Sequence, residues 1–128
     1  MQSSPHVLII EDDPNLRRTL ALILQQAGYS VVTLCQVQDS SSGFNSWNYD
    51  LIVLDGDQAE LTDAELWEVL GRARPTVSVL LLTSSQAIKP RIIAGPIGRQ
   101  IHLVKPIDPA QILACVRDIL NQAALSAD

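Results

Sequence analysis

Three carboxylates stand side by side near the start of the chain, at Glu11, Asp12 and Asp13. Two like charges about 4 Å apart repel by roughly 1 kcal/mol in water, and by several times that near a protein surface. Their adjacency therefore requires a cation, hydrogen bonds or full solvation. The segment is a candidate site for a bound positive charge.

Other polar residues also stand where an apolar run ends. They are Asp55 after "DLIVL", Thr83 and Ser84 at the end of "VSVLLLTS", and Lys105 after "IHLV". Carboxylates with one lysine and a hydroxyl offer hard oxygen ligands that suit Mg²⁺ and leave room for phosphate oxygens. These residues can form one binding site only if the fold brings their separate positions together.

Five short apolar runs predict such a fold, because they alternate with segments of helical pattern. Their Val, Ile and Leu content is typical of parallel strands buried on both faces. The carboxyl ends of such strands form one ligand crevice. We therefore expect a single α/β domain over residues 1–128, ordered from about residue 5 to residue 123, with helices on both faces of the sheet and no effector domain.

Two predicted helices have clear start signals. Asp13 lies at the N-cap position before Pro14, and Asp108 with Pro109 repeats this pattern before the last helix. Gly28 is expected to end the first helix. In contrast, the fourth helix would contain Pro90, Gly95, Pro96 and Gly98, and we expect it to be short or distorted.

The composition and charge restrict the classes of partner that we expect for this protein. A net charge of −5 disfavours direct binding to nucleic acid. No secretory signal and no apolar run of membrane length is present, so we expect a cytoplasmic protein with protein partners. Cys35 and Cys115 form no CxxC pair, and we interpret both as reduced core residues.

The motifs at the strand ends, taken in order, resemble the receiver domain of two-component response regulators over essentially the whole chain. They are "IIEDDP", "DLIVLD", "LLLTS" and "HLVKP". The resemblance implies a flavodoxin-like parallel sheet of five strands in the order 2-1-3-4-5. It also implies a phosphoacceptor switch that catalyses only its own phosphorylation and dephosphorylation.

Within this resemblance, Asp55 corresponds to the phosphoacceptor and Lys105 to the lysine that pairs with it. The Mg²⁺ ligands would be Glu11, Asp12 and Asp55, with the backbone carbonyl of Asp57.

The resemblance also assigns switch positions to Thr83, Ser84 and His102, and expects a cis peptide bond before Pro106. The family usually has an aromatic residue at the position of His102, and the smaller, more polar imidazole departs from that pattern.

The implied partners are a sensor histidine kinase or phosphotransfer protein as phosphodonor, and an unidentified protein effector. Ala59 and Asp63 replace residues that the family usually has as proline and glycine. The family forms homodimers and contacts its effectors through one surface, which comprises the fourth helix, the fifth strand and the last helix. A distorted fourth helix would alter this output face. The acceptor chemistry is therefore expected to be intact and the output face altered.

Two alternatives remain open. A receiver-like interaction module that is never phosphorylated would explain the altered output face. A haloacid-dehalogenase-like phosphatase would use Asp55 as nucleophile and Asp57 as acid/base, but would leave Glu11 and Asp12 without a role. A nicotinamide-binding protein is disfavoured, because no GxGxxG motif follows the first strand.

Overall fold

The computed structural model describes residues 4–35, 49–55, 78–83, 100–106 and 108–126. In chain order, the elements are β1 (His6–Ile10), α1 (Pro14–Gln26), β2 (Ser30–Leu34), β3 (Leu51–Asp55), β4 (Ser78–Thr83), β5 (Gln100–Val104) and α2 (Pro109–Ser126). None of the helices in these ranges is long and apolar enough to cross a membrane.

The five strands form one sheet in the order β2-β1-β3-β4-β5, and every neighbouring pair is parallel. Both the number of strands and their order were predicted, and both are confirmed. The register is continuous across the middle of the sheet, where Leu8 of β1 lies between Val32 of β2 and Ile52 of β3. All five strands therefore end at the same edge.

One face of the sheet packs on both described helices. This core comprises Val7, Ile9, Leu51, Val53, Leu80 and Leu82 from the sheet, Leu20 and Leu24 from α1, and Ile112, Val116, Ile119 and Leu120 from α2. The opposite face is equally buried, with Leu8, Ile10, Ile52, Leu54 and Leu81 almost inaccessible to solvent. Each fully buried side chain of this size stabilises the fold by about 1.5–3 kcal/mol.

Local hydrogen bonds define both ends of α1. At the start, the carboxylate of Asp13 accepts a hydrogen bond from the N–H of Asn15 at 3.0 Å. At the end, Gly28 has a φ of +99°, and the N–H groups of Gly28 and Tyr29 donate to the carbonyls of Gln25 and Leu24. This is a Schellman ending, which needs a residue that tolerates positive φ.

The start of α2 repeats the capping pattern. The Asp108 carboxylate accepts a hydrogen bond from the N–H of Ala110 at 2.9 Å, and the Asp108 carbonyl accepts one from Ile112 at 3.0 Å. Just before this cap, the peptide bond between Lys105 and Pro106 is cis. Four residues separate the end of β5 from the start of α2.

Three sequence predictions need correction. Asp55 is the last residue of its strand rather than the first residue after it, because the ladder between β3 and β4 continues to the pair Asp55–Leu82. Cys35 is exposed, since it follows the edge strand β2, where burial is incomplete. Cys115 is half-buried and packs against the core rather than within it.

The predicted helices between β2 and β3, β3 and β4, and β4 and β5 lie outside the described residues. The expected distortion of the fourth helix, and the substitutions at Ala59 and Asp63, fall in these segments.

Candidate functional site

The carboxyl edge of the sheet brings together acidic residues from two neighbouring strands. Glu11 directly follows β1, and Asp55 ends β3, which pairs with β1. With Asp12, they offer carboxylate oxygens that all lie within 4.8 Å of one another. Glu11 and Asp55 are buried whereas Asp12 is exposed, so the group opens to solvent on the Asp12 side.

Lys105 supplies the positive charge that faces this group. Its Nζ donates a hydrogen bond to Oδ1 of Asp55 at 3.1 Å and lies 3.7 Å from Oε2 of Glu11. The lysine side chain is 21% exposed, compared with 3% for Asp55 and 1% for Glu11. Within the described ranges, one ammonium therefore forms ion pairs with two buried carboxyl groups, and Asp12 lies beside them.

Glu11 is held in place through several of its atoms. Its backbone N–H donates to the carbonyl of Leu34 at 3.0 Å, which ties the end of β1 to β2. Its Oε1 accepts a hydrogen bond from the N–H of Asp13 at 3.2 Å. The second oxygen, Oε2, is buried without a hydrogen-bond partner among the described residues. A buried carboxylate oxygen without a donor is costly, and a cation or a proton would satisfy it.

The ionisation of the acidic group reflects this crowding. Burial, aided by the hydrogen bond and charge of Asp55, raises the pKa of Glu11 to about 8, although the Asp13 N–H and Lys105 favour its ionised form. Burial would also raise the pKa of Asp12, but its hydrogen bonds with Asp55 and Glu11 outweigh this effect and lower that pKa below its ordinary value. The crowding of the acidic group therefore favours the protonated form of Glu11 well above the usual pH range of a carboxyl group.

Asp13 lies outside this group, although it is adjacent in sequence. Its side chain caps α1 and is exposed, and only its backbone N–H is directed to Glu11. The three adjacent carboxylates therefore occupy different environments, and the Asp13 side chain has the N-cap position assigned to it from sequence.

The structure describes some of the other candidate residues only in part. Thr83 ends β4 opposite Val104, and His102 lies in β5 opposite Leu81, but their side chains fall outside the described part of the chain. Ser84 and Asp57 lie outside the described residues altogether.

Sequence reasoning missed Arg17. The guanidinium of Arg17 donates a hydrogen bond from Nη1 to the backbone carbonyl of Glu11 at 2.9 Å. The available signal was its spacing, because Arg17 lies one helical turn after the predicted cap, Asp13, where a long side chain can reach back to the preceding loop.

Comparisons with known proteins agree with this arrangement. A sequence model of the response regulator receiver domain matches residues 7–117. The transcriptional regulatory protein GlrR of Escherichia coli is 30% identical over 123 residues, covering 96% of this chain and 28% of that protein. The response regulator ArlR of Staphylococcus aureus is 30% identical over 116 residues, covering 91% of this chain and 52% of that protein. The chain thus spans about a quarter to a half of the length of these relatives.

Solved structures share the fold. A CheY-like receiver domain protein from Methanospirillum hungatei superposes with a TM-score of 0.78 at 17% identity, covering 97% of this chain and 99% of that chain. The receiver domain of the TMAO respiratory response regulator TorR gives a TM-score of 0.73 at 21% identity, covering 93% and 98% of the two chains. With the matched domain spanning most of the sequence, this chain belongs to the response regulator receiver domain family of two-component systems.

Proposed function

We propose that this chain is a Mg²⁺-dependent phosphoacceptor switch that takes a phosphoryl group on Asp55. The observation that carries the proposal is the placement of Asp55. It is buried at the end of β3, hydrogen-bonded to Lys105, and within 4.8 Å of carboxylate oxygens of Glu11 and Asp12. A carboxylate in such surroundings has both a neighbouring cation and a set of oxygen ligands beside it.

The residues fit a magnesium ion by the chemistry of their donors. Glu11, Asp12 and Asp55 provide hard oxygen atoms, and one of them, Oε2 of Glu11, accepts no hydrogen bond from the described residues. We assign a further ligand, the backbone carbonyl of Asp57, from the family pattern. When bound, the ion would neutralise charge on the phosphoryl oxygens.

Phosphoryl transfer to this site needs positioning more than covalent machinery. A carboxylate oxygen of Asp55 forms a bond to phosphorus as the bond from phosphorus to the donor's imidazole nitrogen breaks, and the imidazole keeps that electron pair. The product is an acyl phosphate. Lys105 moves from the carboxylate to a phosphate oxygen, which preserves a charge-assisted hydrogen bond throughout.

We assign Thr83, Ser84 and His102 to the switch that reads the phosphorylated state. The added phosphate carries about two negative charges, enough to reorient a nearby hydroxyl and bias a two-state element. The donor would be a sensor histidine kinase or phosphotransfer protein, and the output an unidentified protein effector. GlrR is named a transcriptional regulatory protein, but the negative charge of this chain disfavours direct contact with nucleic acid.

Intact mass spectrometry tests the proposal. The wild-type protein, incubated with Mg²⁺ and acetyl phosphate, should gain the mass of one phosphoryl group, and Asp55→Asn should gain none. Asp13→Asn is the matched control, because it also removes one carboxylate from the site region while asparagine still caps the helix. It should be phosphorylated like the wild type.

The alternatives give different results in the same assay. A wild-type protein without any mass gain would favour an interaction module that is never phosphorylated. Steady release of phosphate from a simple phosphate ester, abolished by Asp57→Asn, would instead favour a phosphatase. The family match to receiver domains gives that phosphatase alternative no support.

A further inference from the structure

Arg17 links the first turn of α1 to the loop that carries the acidic residues. Its backbone N–H donates to the carbonyl of Asp13 at 2.9 Å, which is a normal helical bond. Its guanidinium donates from Nη1 to the carbonyl of Glu11, also at 2.9 Å. The same residue therefore belongs to the helix and holds the peptide group that joins Glu11 to Asp12.

This contact completes the backbone hydrogen bonding of Glu11. The N–H of Glu11 is bound to the carbonyl of Leu34, and its carbonyl is bound to Arg17. Because the N–H and the carbonyl of Glu11 are both hydrogen-bonded, the orientation of the peptide group between Glu11 and Asp12 is fixed. The Asp12 side chain is exposed, so packing contributes little to its orientation. Its direction is set by its hydrogen bonds with Asp55 and Glu11 and by the backbone to which it is attached.

The charge of Arg17 alone would act against cation binding. A guanidinium beside a divalent ion repels it, and this repulsion is stronger near a protein surface than in bulk water. A positive side chain at this position is therefore unfavourable for Mg²⁺ unless its geometry compensates. Removing the charge of Arg17 should raise the affinity for Mg²⁺, whereas removing its hydrogen bond should lower that affinity, so an experiment can distinguish the two effects.

We propose that Arg17 is a positioning residue for the Mg²⁺ site, which directs the Asp12 carboxylate by holding the carbonyl of Glu11. The inference rests on the proposed function, since it concerns the ion that the acidic group would bind. Partners of this kind, which orient a metal ligand without touching the metal, change metal affinity by about 10- to 100-fold when they are removed.

The test compares Arg17→Gln with Arg18→Gln by calorimetric titration with Mg²⁺. Arg18 is the next residue and is exposed, so both variants lose one positive charge from the same turn of α1. We expect Arg17→Gln to bind Mg²⁺ about tenfold more weakly than the wild type. Arg18→Gln should bind it equally well or more tightly. If Arg17→Gln also binds Mg²⁺ equally well or more tightly, the charge is its main effect and the inference is overturned.

A second measurement needs no metal. In amide NMR spectra of the metal-free protein, Arg17→Gln should shift the resonances of Asp12 and Asp13, whereas Arg18→Gln should leave them in place. Unshifted resonances in Arg17→Gln would overturn the inference. A wild-type protein that does not bind Mg²⁺ would contradict the proposed function. The amide shifts would still show whether Arg17 orients the backbone at Asp12.

Arg17→Met covers the case in which Arg17→Gln does not fold. It keeps the aliphatic stem of the side chain and removes only the donor and the charge. The same losses of affinity and the same amide shifts are expected from it, and wild-type values for both would overturn the inference.

Discussion

At the scale of single residues, three adjacent carboxylates have different physical environments. Glu11 is buried and has a raised pKa, Asp12 is exposed and has a lowered pKa, and Asp13 caps a helix. Their mutual repulsion is relieved by this separation and by the ammonium of Lys105. Substitutions at neighbouring positions should therefore have unrelated effects.

Asp12 and Asp13 provide a direct comparison. Asp12→Asn should weaken Mg²⁺ binding severely, because it removes an ionised ligand, whereas Asp13→Asn should leave binding unchanged. Calorimetric titration of both variants measures the difference. Asp13→Ala should lower the free energy of unfolding by about 1 kcal/mol, as expected for a lost N-cap. Equal losses of Mg²⁺ affinity in the two Asn variants would contradict the assignment of the ligands.

The raised pKa of Glu11 predicts a pH dependence of stability in the metal-free protein. Glu11 has an ordinary pKa of 4.5 in the unfolded chain and a pKa of about 8 in the folded one. Between these values, unfolding releases a proton, so stability falls as pH rises through this window and levels off above the folded pKa. Because Asp12 has a lowered pKa, it contributes only at more acidic pH.

Urea unfolding in a chelating buffer at pH 5.5 and pH 7.5 tests this prediction, with Glu11→Gln as the control. Each pH unit in the window changes the free energy of unfolding by at most about 1.4 kcal/mol. The wild type should therefore lose about 2 kcal/mol relative to the variant between the two conditions. Parallel behaviour of the two proteins would show that Glu11 is ionised in the folded state.

At the scale of elements, α1 connects the site to the core. Its buried face carries Leu20 and Leu24, while its first turn presents the cap at Asp13 and the guanidinium of Arg17 to the acidic loop. Its opposite end is closed by the Schellman ending at Gly28. The two ends can therefore be perturbed separately.

Gly28→Ala tests the end of α1 that is remote from the acidic residues. A side chain at a φ of +99° is strained, yet no atom lies within 4 Å of the position that the new Cβ would take. The loss of stability should therefore report backbone strain alone, about 1–2 kcal/mol. Chemical denaturation measures it, with Gln26→Ala in the exposed last turn as control. A loss of Mg²⁺ affinity in Gly28→Ala would indicate that the two ends of α1 are coupled.

At the scale of the whole molecule, the sheet serves as the scaffold of the site. The hydrogen bond between Lys105 and Asp55 joins residues 50 positions apart in the chain. Contacts across this distance exist only when β3, β4 and β5 are paired in register. An ion held by the residues at the ends of β1 and β3 should therefore stabilise the entire fold.

Thermal unfolding with and without Mg²⁺ tests this coupling. A ligand that binds only the folded state at 100 times its dissociation constant adds about 2.7 kcal/mol of stability. The melting temperature of the wild type should rise accordingly, and that of Asp12→Asn should change little. NaCl at matched ionic strength controls for screening. An equal rise with NaCl would mean that the effect is not specific to a bound divalent ion.

Several features of the fold could be predicted from short-range patterns in the sequence. The apolar runs identified the five strands, Asp13 and Asp108 marked the starts of both described helices, and Gly28 marked the end of the first. These signals are readable because capping and positive φ involve residues only a few positions apart. The motifs at the strand ends were sufficient to identify the receiver family.

Tertiary structure alone decided how the site residues meet. It buried Glu11, placed one carboxylate oxygen of Glu11 3.7 Å from the Lys105 ammonium without a hydrogen bond from any described residue, and directed Arg17 to the Glu11 carbonyl. It also extended β3 as far as Asp55, and left Cys35 exposed beyond the edge strand. Side-chain direction, strand register and the position of a strand within the sheet set these features, and none of the three can be read from a local pattern.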